Sequence, residues 1–425
     1  MFVDLPPSEP HADPWHASFS YRLHQLRRKG YRIAYFYERP DNSTFRYRIF
    51  NMMEVIEANW PEASASYFHL GDAAHLKTIV QSADVIVICR ARYGDVVASL
   101  LLLARQRGIP VLFDVDDLVF DTQYVHLLTK SLAQPMAAEV DWDFWFAYVG
   151  RIGATLRHCD GAIATNAYLA ERISDASQVP TAIIPNFLNE KQVARSGRIV
   201  EAKRASGFAR DGHVHIGYFS GSPTHAKDFE QAASALARIL DRYPVARVRM
   251  VGYLDVPPQL QAYETRIDRV GFHDYVNLQG LIGSTEINIA PLQDNRFTNC
   301  KSELKYFEAA IVGTVTIASP THTFRDAIRH GENSYLARAH EWEQAIATVL
   351  ETLVEDPAAY ARVAEAGISD AEEKFCWRRQ TDRIKAALLD GVASFSSSGS
   401  GSGNSAPRPG GEPRADAPRP AERAV

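Results

Sequence analysis

The chain has 425 residues, 46% of them hydrophobic and 23% charged, with 22 prolines and 25 glycines, the balance of a globular protein of two domains and not of a disordered chain. Lys+Arg 46 against Asp+Glu 51 leaves a formal charge of −5, which excludes a nucleic-acid-coating protein and makes any anion site a local one. Cys89, Cys159, Cys300 and Cys376 are far apart, with no CxxC or Cys/His spacing, so neither a zinc site nor a disulfide scaffold is expected, and a reducing cytoplasm is the expected compartment.

The opening MFVDLPPSEPHADPWH carries acids and prolines where a secretory signal needs a basic start and an apolar run. No apolar stretch approaches the ~20 residues that span a bilayer, so the chain is expected to be soluble or peripheral to a membrane. Next, RLHQLRRKGYR and FRYRIF gather Arg22, Arg27, Arg28, Lys29, Arg32, Arg46 and Arg48. They read either as a solvated face or as a patch for anionic headgroups or a phosphorylated acceptor.

Short β-branched runs then alternate with helical patterns: YRIAYFY, ADVIVIC, a helix near Val96–Gln106, IPVLFDV, GAIAT, a helix from Ala167, and TAIIP. Such runs read as parallel strands with crossover helices, and they define one doubly wound domain ending near Asn189. The run VLFDVDDLVF puts Asp114, Asp116 and Asp117 at a strand end, with at least one carboxylate at the edge of a cleft. His126 reads equally as a surface or a cleft residue. The aromatic run DWDFWFAY is expected in a packed core more than in an acceptor groove.

The polar segment NEKQVARSGRIVEAKRASGFARDG lacks a strong apolar stripe and reads as the connection between domains. A second series follows: VHIGYFS, helix, ARVRMVG, VNLQG, EINIAPL, helix, TVTIAS, helix, NSYLA, helix. Two doubly wound α/β domains facing each other leave a cleft lined by the C-terminal ends of strands, where open sheets bind ligands. In HIGYFSGSPTHAKDF a small-residue turn, Ser220, Gly221 and Ser222, lets phosphate oxygens approach the backbone, with His225 and Lys227 as added positive charge. No GxGxxG or GxxxxGK[ST] is present.

The most informative stretch is NIAPLQDNRFTNCKSELKYFEAAIVGTVTIAS. A helix is expected from Asn299 or Ser302, either of which suits a cap, to a stop at Gly313. Leu304, Phe307 and Ile311 form its buried stripe, and Lys301, Lys305 and Glu308 share another face. The helix start and Lys301 make an anion site suited to a diphosphate, and Glu308 can accept hydrogen bonds from two adjacent ribose hydroxyls.

The block FTNCKSELKYFEAAIVGTVTIASPTHTFRDAIRHGENSYLA resembles the donor-binding segment of glycosyltransferase family 4, the group-1 transferases of GT-B fold from bacterial surface-polysaccharide clusters. GYFSGSPTHAKDF is similar to that family's glycine-rich turn, and TAIIPNFLN to the strand and Asn186 turn before its linker. The likeness covers about 205 to 390. It implies a retaining glycosyltransferase, without a metal or other cofactor, that moves a sugar from a nucleotide diphosphate donor to a hydroxyl on a glycan or lipid-linked acceptor. A role in surface glycan assembly, a cytoplasmic location with peripheral contact at the inner membrane face, and no nucleic-acid partner go with it.

Carried over by position, Glu308 matches the second glutamate of the family's Glu-x7-Glu motif, and Lys301, Ser302, Glu303 and Leu304 match the groups facing diphosphate and sugar. Ser220, Gly221, His225, Lys227 and Asn299 complete the expected donor side, with Lys227 near the family's phosphate-binding lysine. Asp116, Asp117, Arg46 and Arg48 are the expected acceptor side. Two departures stand out. Cys300 replaces the first glutamate, and the glycine-rich turn lacks its usual arginine. Cys300 leaves open a noncatalytic nucleotide-sugar-binding subunit; a sugar-nucleotide epimerase of similar fold is a further alternative. The expected division is a first domain over 1–195, a second over 205–372, a helix over 373–390 crossing back to the first domain, anchored by Phe375 and Trp377, and a disordered tail over 391–425.

Overall fold

The structure, a computed structural model, describes residues 1–221 and 223–398. Two parallel six-stranded sheets, each flanked by helices, form two lobes of GT-B architecture. In the first, β1 (Tyr31–Tyr37), β2 (Ala63–His69), β3 (Val85–Cys89), β4 (Val111–Val115), β5 (Gly161–Ala164) and β6 (Thr181–Ile183) lie in the order β2-β1-β3-β4-β5-β6. The second holds β7 (Val214–Ser220), β8 (Ala246–Gly252), β9 (Ile267–Val270), β10 (Ile287–Ala290), β11 (Val315–Ala318) and β12 (Tyr335–Leu336), in the order β12-β11-β10-β7-β8-β9. Strands β3, β4, β5, β7, β10 and β11 are buried along their whole length, which is why VIVIC and VTIA read as continuous apolar runs instead of alternating ones.

Each sheet reverses its winding once, between β1 and β3 in the first and between β7 and β10 in the second. At such a switch point the connections leave in opposite directions and open a crevice beyond the strand ends. In the second lobe Gly252, at the end of β8, has φ +98, and its lack of a side chain lets β8 end against β7. A Cβ there would meet the Ser220 carbonyl oxygen at 1.9 Å.

Two of the chain's passages between lobes, near Leu188 and near Cys376, pair with each other. The Leu188 N–H donates to the Phe375 carbonyl at 2.8 Å, and the Trp377 N–H to the Leu188 carbonyl at 3.0 Å. Phe375 stacks on Phe307 in the second lobe, with centroids 4.8 Å apart, while Trp377 is buried in the first-lobe core. The expected crossing therefore falls between these two aromatics. The single helix expected over Glu372–Leu389 is two: Pro357–Lys374 ends at the crossing and Thr381–Ser398 begins after it. That last helix packs on β5, β6 and the Asn51–Asn59 helix of the first lobe. It continues through 391–398, where disorder was expected; the rest of the expected tail, 399–425, lies outside the described residues.

Two further points concern the division into domains. The interdomain connection is a helix, Glu190–Ala205, with Asn189 as N-cap and Gln192 completing a capping box. It packs on the Tyr275–Ser284 helix of the second lobe. Its buried face is largely polar, including Gln192, Arg195, Ser196 and Lys203, so no apolar stripe announces it. Lys203 is held by the carbonyls of Val312 (2.7 Å) and Gly313 (3.1 Å), and burial lowers its pKa to about 7. The first residues of the chain, assigned above to the first domain, pack on the second: Phe2 is buried in that lobe's core, and the Met1 amine pairs with buried Glu286 at 2.9 Å.

Candidate active site

The second-lobe switch point is built by the segments that leave β7 and β10. After β7 comes the Ser220–Gly221 turn; Gly221 is exposed, and a Cβ there would meet nothing within 4 Å. After β10 a short helix, Arg296–Asn299, is capped by Asn295, and the chain then breaks before a second helix, Leu304–Ala310. Of the two expected starts, Asn299 instead ends the preceding short helix, and the helix begins at Leu304, close after the alternative Ser302. The Asn299 side-chain oxygen accepts from the His322 N–H at 2.8 Å, and Glu303 stands at the start of the second helix. Lys301 lies in the break, so only Lys305 and Glu308 share a helical face, and a helix of seven residues brings little dipole of its own.

The break serves to deliver cations. Lys301 lies 3.6 Å from Asp117 of the first lobe and over the Phe297 ring. Lys305 donates to the Phe219 carbonyl at the end of β7 and sits over the Tyr218 ring. Burial lowers the Lys305 pKa to about 8, with Lys301 pushing the same way and Asp228 and Glu308 opposing. His225 is 3.2 Å from Asp228; burial depresses its pKa, and Lys301 and Lys305 add to the depression against the pull of Asp228. The imidazole is thereby biased to its neutral form.

Glu308 is buried and occupied. Tyr47 of the first lobe donates to Oε1, Gln192 Nε2 does so at 3.3 Å, and Arg46 lies 3.7 Å away. Beside the Gly221 turn, the Tyr253 N–H donates to the Ser220 carbonyl at 3.3 Å. Tyr253 and Phe272, both half exposed, stack at 5.4 Å, and a cavity of about 600 Å³ opens there, lined by Gly252, Tyr253, Leu254 and Arg269 among others.

On the first-lobe side, Asp116 accepts from Thr44 (2.7 Å) and Arg90 (2.9 Å), and Asp117 is 3.3 Å from Arg90. Although burial raises the Asp117 pKa, Lys301 and Arg90 hold it below the usual carboxylate range. Arg90 follows β3 directly and has φ 44, a left-handed conformation that is costly for a side chain of this size and recurs at functional sites.

Several expected site residues face elsewhere. Arg48 is fully buried and gives its guanidinium to Asp114 (2.7 and 3.0 Å) and to the Ile184 carbonyl, so no acceptor can reach it. Arg46 is buried between the rings of Tyr47 and Tyr275, which leaves it no open face for an acceptor. The rest of the basic run is dispersed into pairs: Arg22 with Asp72, Arg28 and Lys29 with Glu57, Arg32 with Asp84. No open patch forms. Lys227 donates to the Lys130 carbonyl across the lobes at 2.7 Å instead of lining the turn. Cys300 has its thiol in the first-lobe core, burial pushing its pKa up to about 12, and its carbonyl accepts from Asn166 at 2.8 Å. The position of the missing first glutamate is therefore spent on packing. Leu304 packs into the second lobe, and Ser302 sits 3.4 Å from buried Glu303, whose pKa burial raises to about 7.

The sequence reading missed Arg90, Tyr47, Gln192, Asp228 and Tyr253. Arg90 and Tyr253 had a signal, each following a strand end directly, β3 and β8; Tyr47, Gln192 and Asp228 come from helices and carry no such mark. Among the described residues, a grouping with spacing suited to a metal ion is Asp211, His215 and Glu286, at the opposite ends of β7 and β10, and the Met1 amine already lies against it. No helix among the described residues is long and apolar enough to cross a membrane.

Residues 214–356, most of the second lobe, match the family described as Glycosyl transferases group 1. With the two six-stranded α/β lobes and their switch points, the fold defined is GT-B. Among solved structures, HepE of Anabaena in complex with UDP-glucose is 15% identical with TM-score 0.55, the match covering 84% of this chain and 99% of that one. Sucrose-phosphate synthase of Thermosynechococcus elongatus is 15% identical with TM-score 0.54, covering 85% and 99%. A glycosyltransferase of Rickettsia africae is 13% identical with TM-score 0.54, covering 88% and 100%. At these identities the likeness is one of fold. No curated protein matches the chain in sequence.

Proposed function

We propose that the protein transfers a sugar from a nucleoside diphosphate donor to an acceptor hydroxyl with retention of anomeric configuration, and that the donor binds at the second-lobe switch point. The observation that carries this reading is Lys305 on the Phe219 carbonyl, just before the open Gly221 turn, with Lys301 in electrostatic reach of His225 and Asp228, which follow that turn. Two ammonium groups and a turn with no Cβ suit a diphosphate, whose oxygens can approach backbone N–H groups closely. The base stacks on Tyr253 and Phe272 at the neighbouring cavity.

Glu308 receives the ribose hydroxyls, and for this Tyr47 must leave it, so donor binding is coupled to a relative shift of the lobes. In the transition state negative charge grows on the leaving diphosphate. Lys301 and Lys305, already fixed, stabilise it without a metal ion, each group contributing on the order of 2.7–4 kcal/mol. Asp116, Asp117 and Arg90 face this point from the first lobe and hold the acceptor. Retention, a part in surface glycan assembly and work at the cytoplasmic face rest on the resemblance of the KSELK block.

A thermal-shift screen against UDP-, GDP-, dTDP- and ADP-sugars tests the donor. A true ligand at 100 times its dissociation constant adds about 2.7 kcal/mol of stability. If no donor raises the melting temperature, the reading is wrong. Product anomeric configuration by NMR checks retention.

A further inference from the structure

The first lobe has a switch point of its own, which the donor does not use. Glu38 follows β1, and Arg90 and Arg92 follow β3, so these three line the crevice where that sheet reverses. Glu38 and Arg92 pair in a fork, at 2.7 and 2.8 Å, each still part-exposed. The Arg92 guanidinium lies over the Tyr148 ring, 5.4 Å from its centroid.

Tyr148 continues into an aromatic face on the Glu139–His158 helix. Phe144 stacks on Tyr148 (6.1 Å, 25°), and Trp145 meets Phe144 at 5.6 Å and Tyr148 at 5.7 Å. Trp145 and Tyr148 rest on the first-lobe core, but Phe144 is 54% exposed and Val140 68%. Large apolar side chains held open beside a ligand crevice call for an occupant. Their neighbours narrow the choice. Glu139, Asp141 and Asp143 cluster on the same end of the helix, which disfavours an anionic bilayer, whose attraction requires Lys and Arg. Aromatic faces bordered by a carboxylate and a guanidinium instead suit a chain of sugar rings, apolar on their C–H faces and rich in hydroxyl donors and acceptors at their edges.

We infer that the Phe144–Trp145–Tyr148 face, with Glu38 and Arg92 at its inner end, binds the sugar rings of a saccharide acceptor and leads its terminal hydroxyl toward Asp116 and Asp117. This rests on the glycosyltransferase reading, narrows the glycan or lipid-linked acceptor expected from the resemblance to its saccharide part, and adds the track that part follows.

The test is titration of the full chain with maltopentaose, cellopentaose, chitopentaose and xylopentaose, followed by tryptophan fluorescence, with nucleotide-sugar binding measured in parallel. At least one pentasaccharide is expected to bind, Phe144→Ala to weaken it about tenfold, equivalent to ~1.4 kcal/mol, Phe144→Tyr to restore it, and nucleotide-sugar affinity to stay unchanged. Because Phe144 is exposed, its variants fold. Nucleotide-sugar binding with no pentasaccharide binding overturns this inference alone, whereas loss of nucleotide-sugar binding in the unsubstituted chain overturns the donor reading. Binding of phosphatidylglycerol vesicles, or a dimer, abolished by Phe144→Ala would also overturn it, by giving the face to a membrane or a second copy.

Discussion

The end of β4 and the loop after it offer two aspartates to two cations, and the pairs differ in burial, geometry and the bodies they join. Asp114 holds Arg48 through a two-pronged contact inside one lobe, with side chains 1% and 0% exposed. Three residues on, Asp117 meets Lys301 at 3.6 Å across the cleft, with both side chains partly open to water. The first pair cannot part without leaving a charge stranded in the core, so it belongs to the architecture. The second is loose, spans two bodies and can part when a ligand arrives. Both runs, RYRIF and VLFDVDD, offered charged groups of the same kind; burial and geometry decide which of them are available for chemistry.

The largest expected effect is on the buried pair. Arg48→Ala should cost about 3–5 kcal/mol by chemical denaturation, because Asp114 is left unpaired, and joint replacement of both by apolar residues should recover most of it. A melt close to that of the unsubstituted chain would erase the distinction. Lys301→Ala should do the reverse, changing stability by less than about 1 kcal/mol while lowering transfer or donor hydrolysis by about 10²–10³, the scale of one lost charge-stabilising group.

Tyr47→Phe sharpens the role of the interdomain contact. It removes the phenol that competes for Glu308, a hydrogen bond to a charged group worth about 1.5–3 kcal/mol, so nucleotide affinity by calorimetry should rise about tenfold. A fall would mean that Tyr47 itself grips the donor. The smallest expected effect is on pH. The Lys305 pKa is lowered to about 8, so the ammonium is present below that value and lost above it, and donor binding should weaken as pH rises through about 8. Lys305→Arg, which stays protonated, should flatten the profile. The same depression makes the folded chain bind fewer protons than the unfolded one between about 8 and the ordinary lysine value, so stability should rise with pH across that window.

Much of the fold was legible because buried parallel strands are unbroken apolar runs: VIVIC, VLFDV, GAIA and VTIA could hardly be anything else. The site was legible only where it is local. Gly221, Lys301 and Glu308 follow from strand-end and helix patterns, yet the break at Cys300–Glu303 was not seen, although Asn295 and Thr298 form a capping box that announces an earlier start. What holds the break open is distant: Asn166 on the Cys300 carbonyl and Thr323 on the Lys301 carbonyl. Tyr47 on Glu308 spans 261 positions, and no local pattern carries such a pairing. The helical connection was hidden for another reason, since its buried face is largely polar and groups such as Gln192 and Lys203 find their partners, Glu308 and the Val312 carbonyl, only in the folded protein.

The most direct measurement of the central claim is calorimetric titration of UDP, GDP, dTDP and ADP into the full chain, Lys301→Ala and Glu308→Gln. The account predicts that at least one diphosphate binds and that each substitution weakens it at least about tenfold, ~1.4 kcal/mol. Binding of equal strength in all three proteins would contradict it.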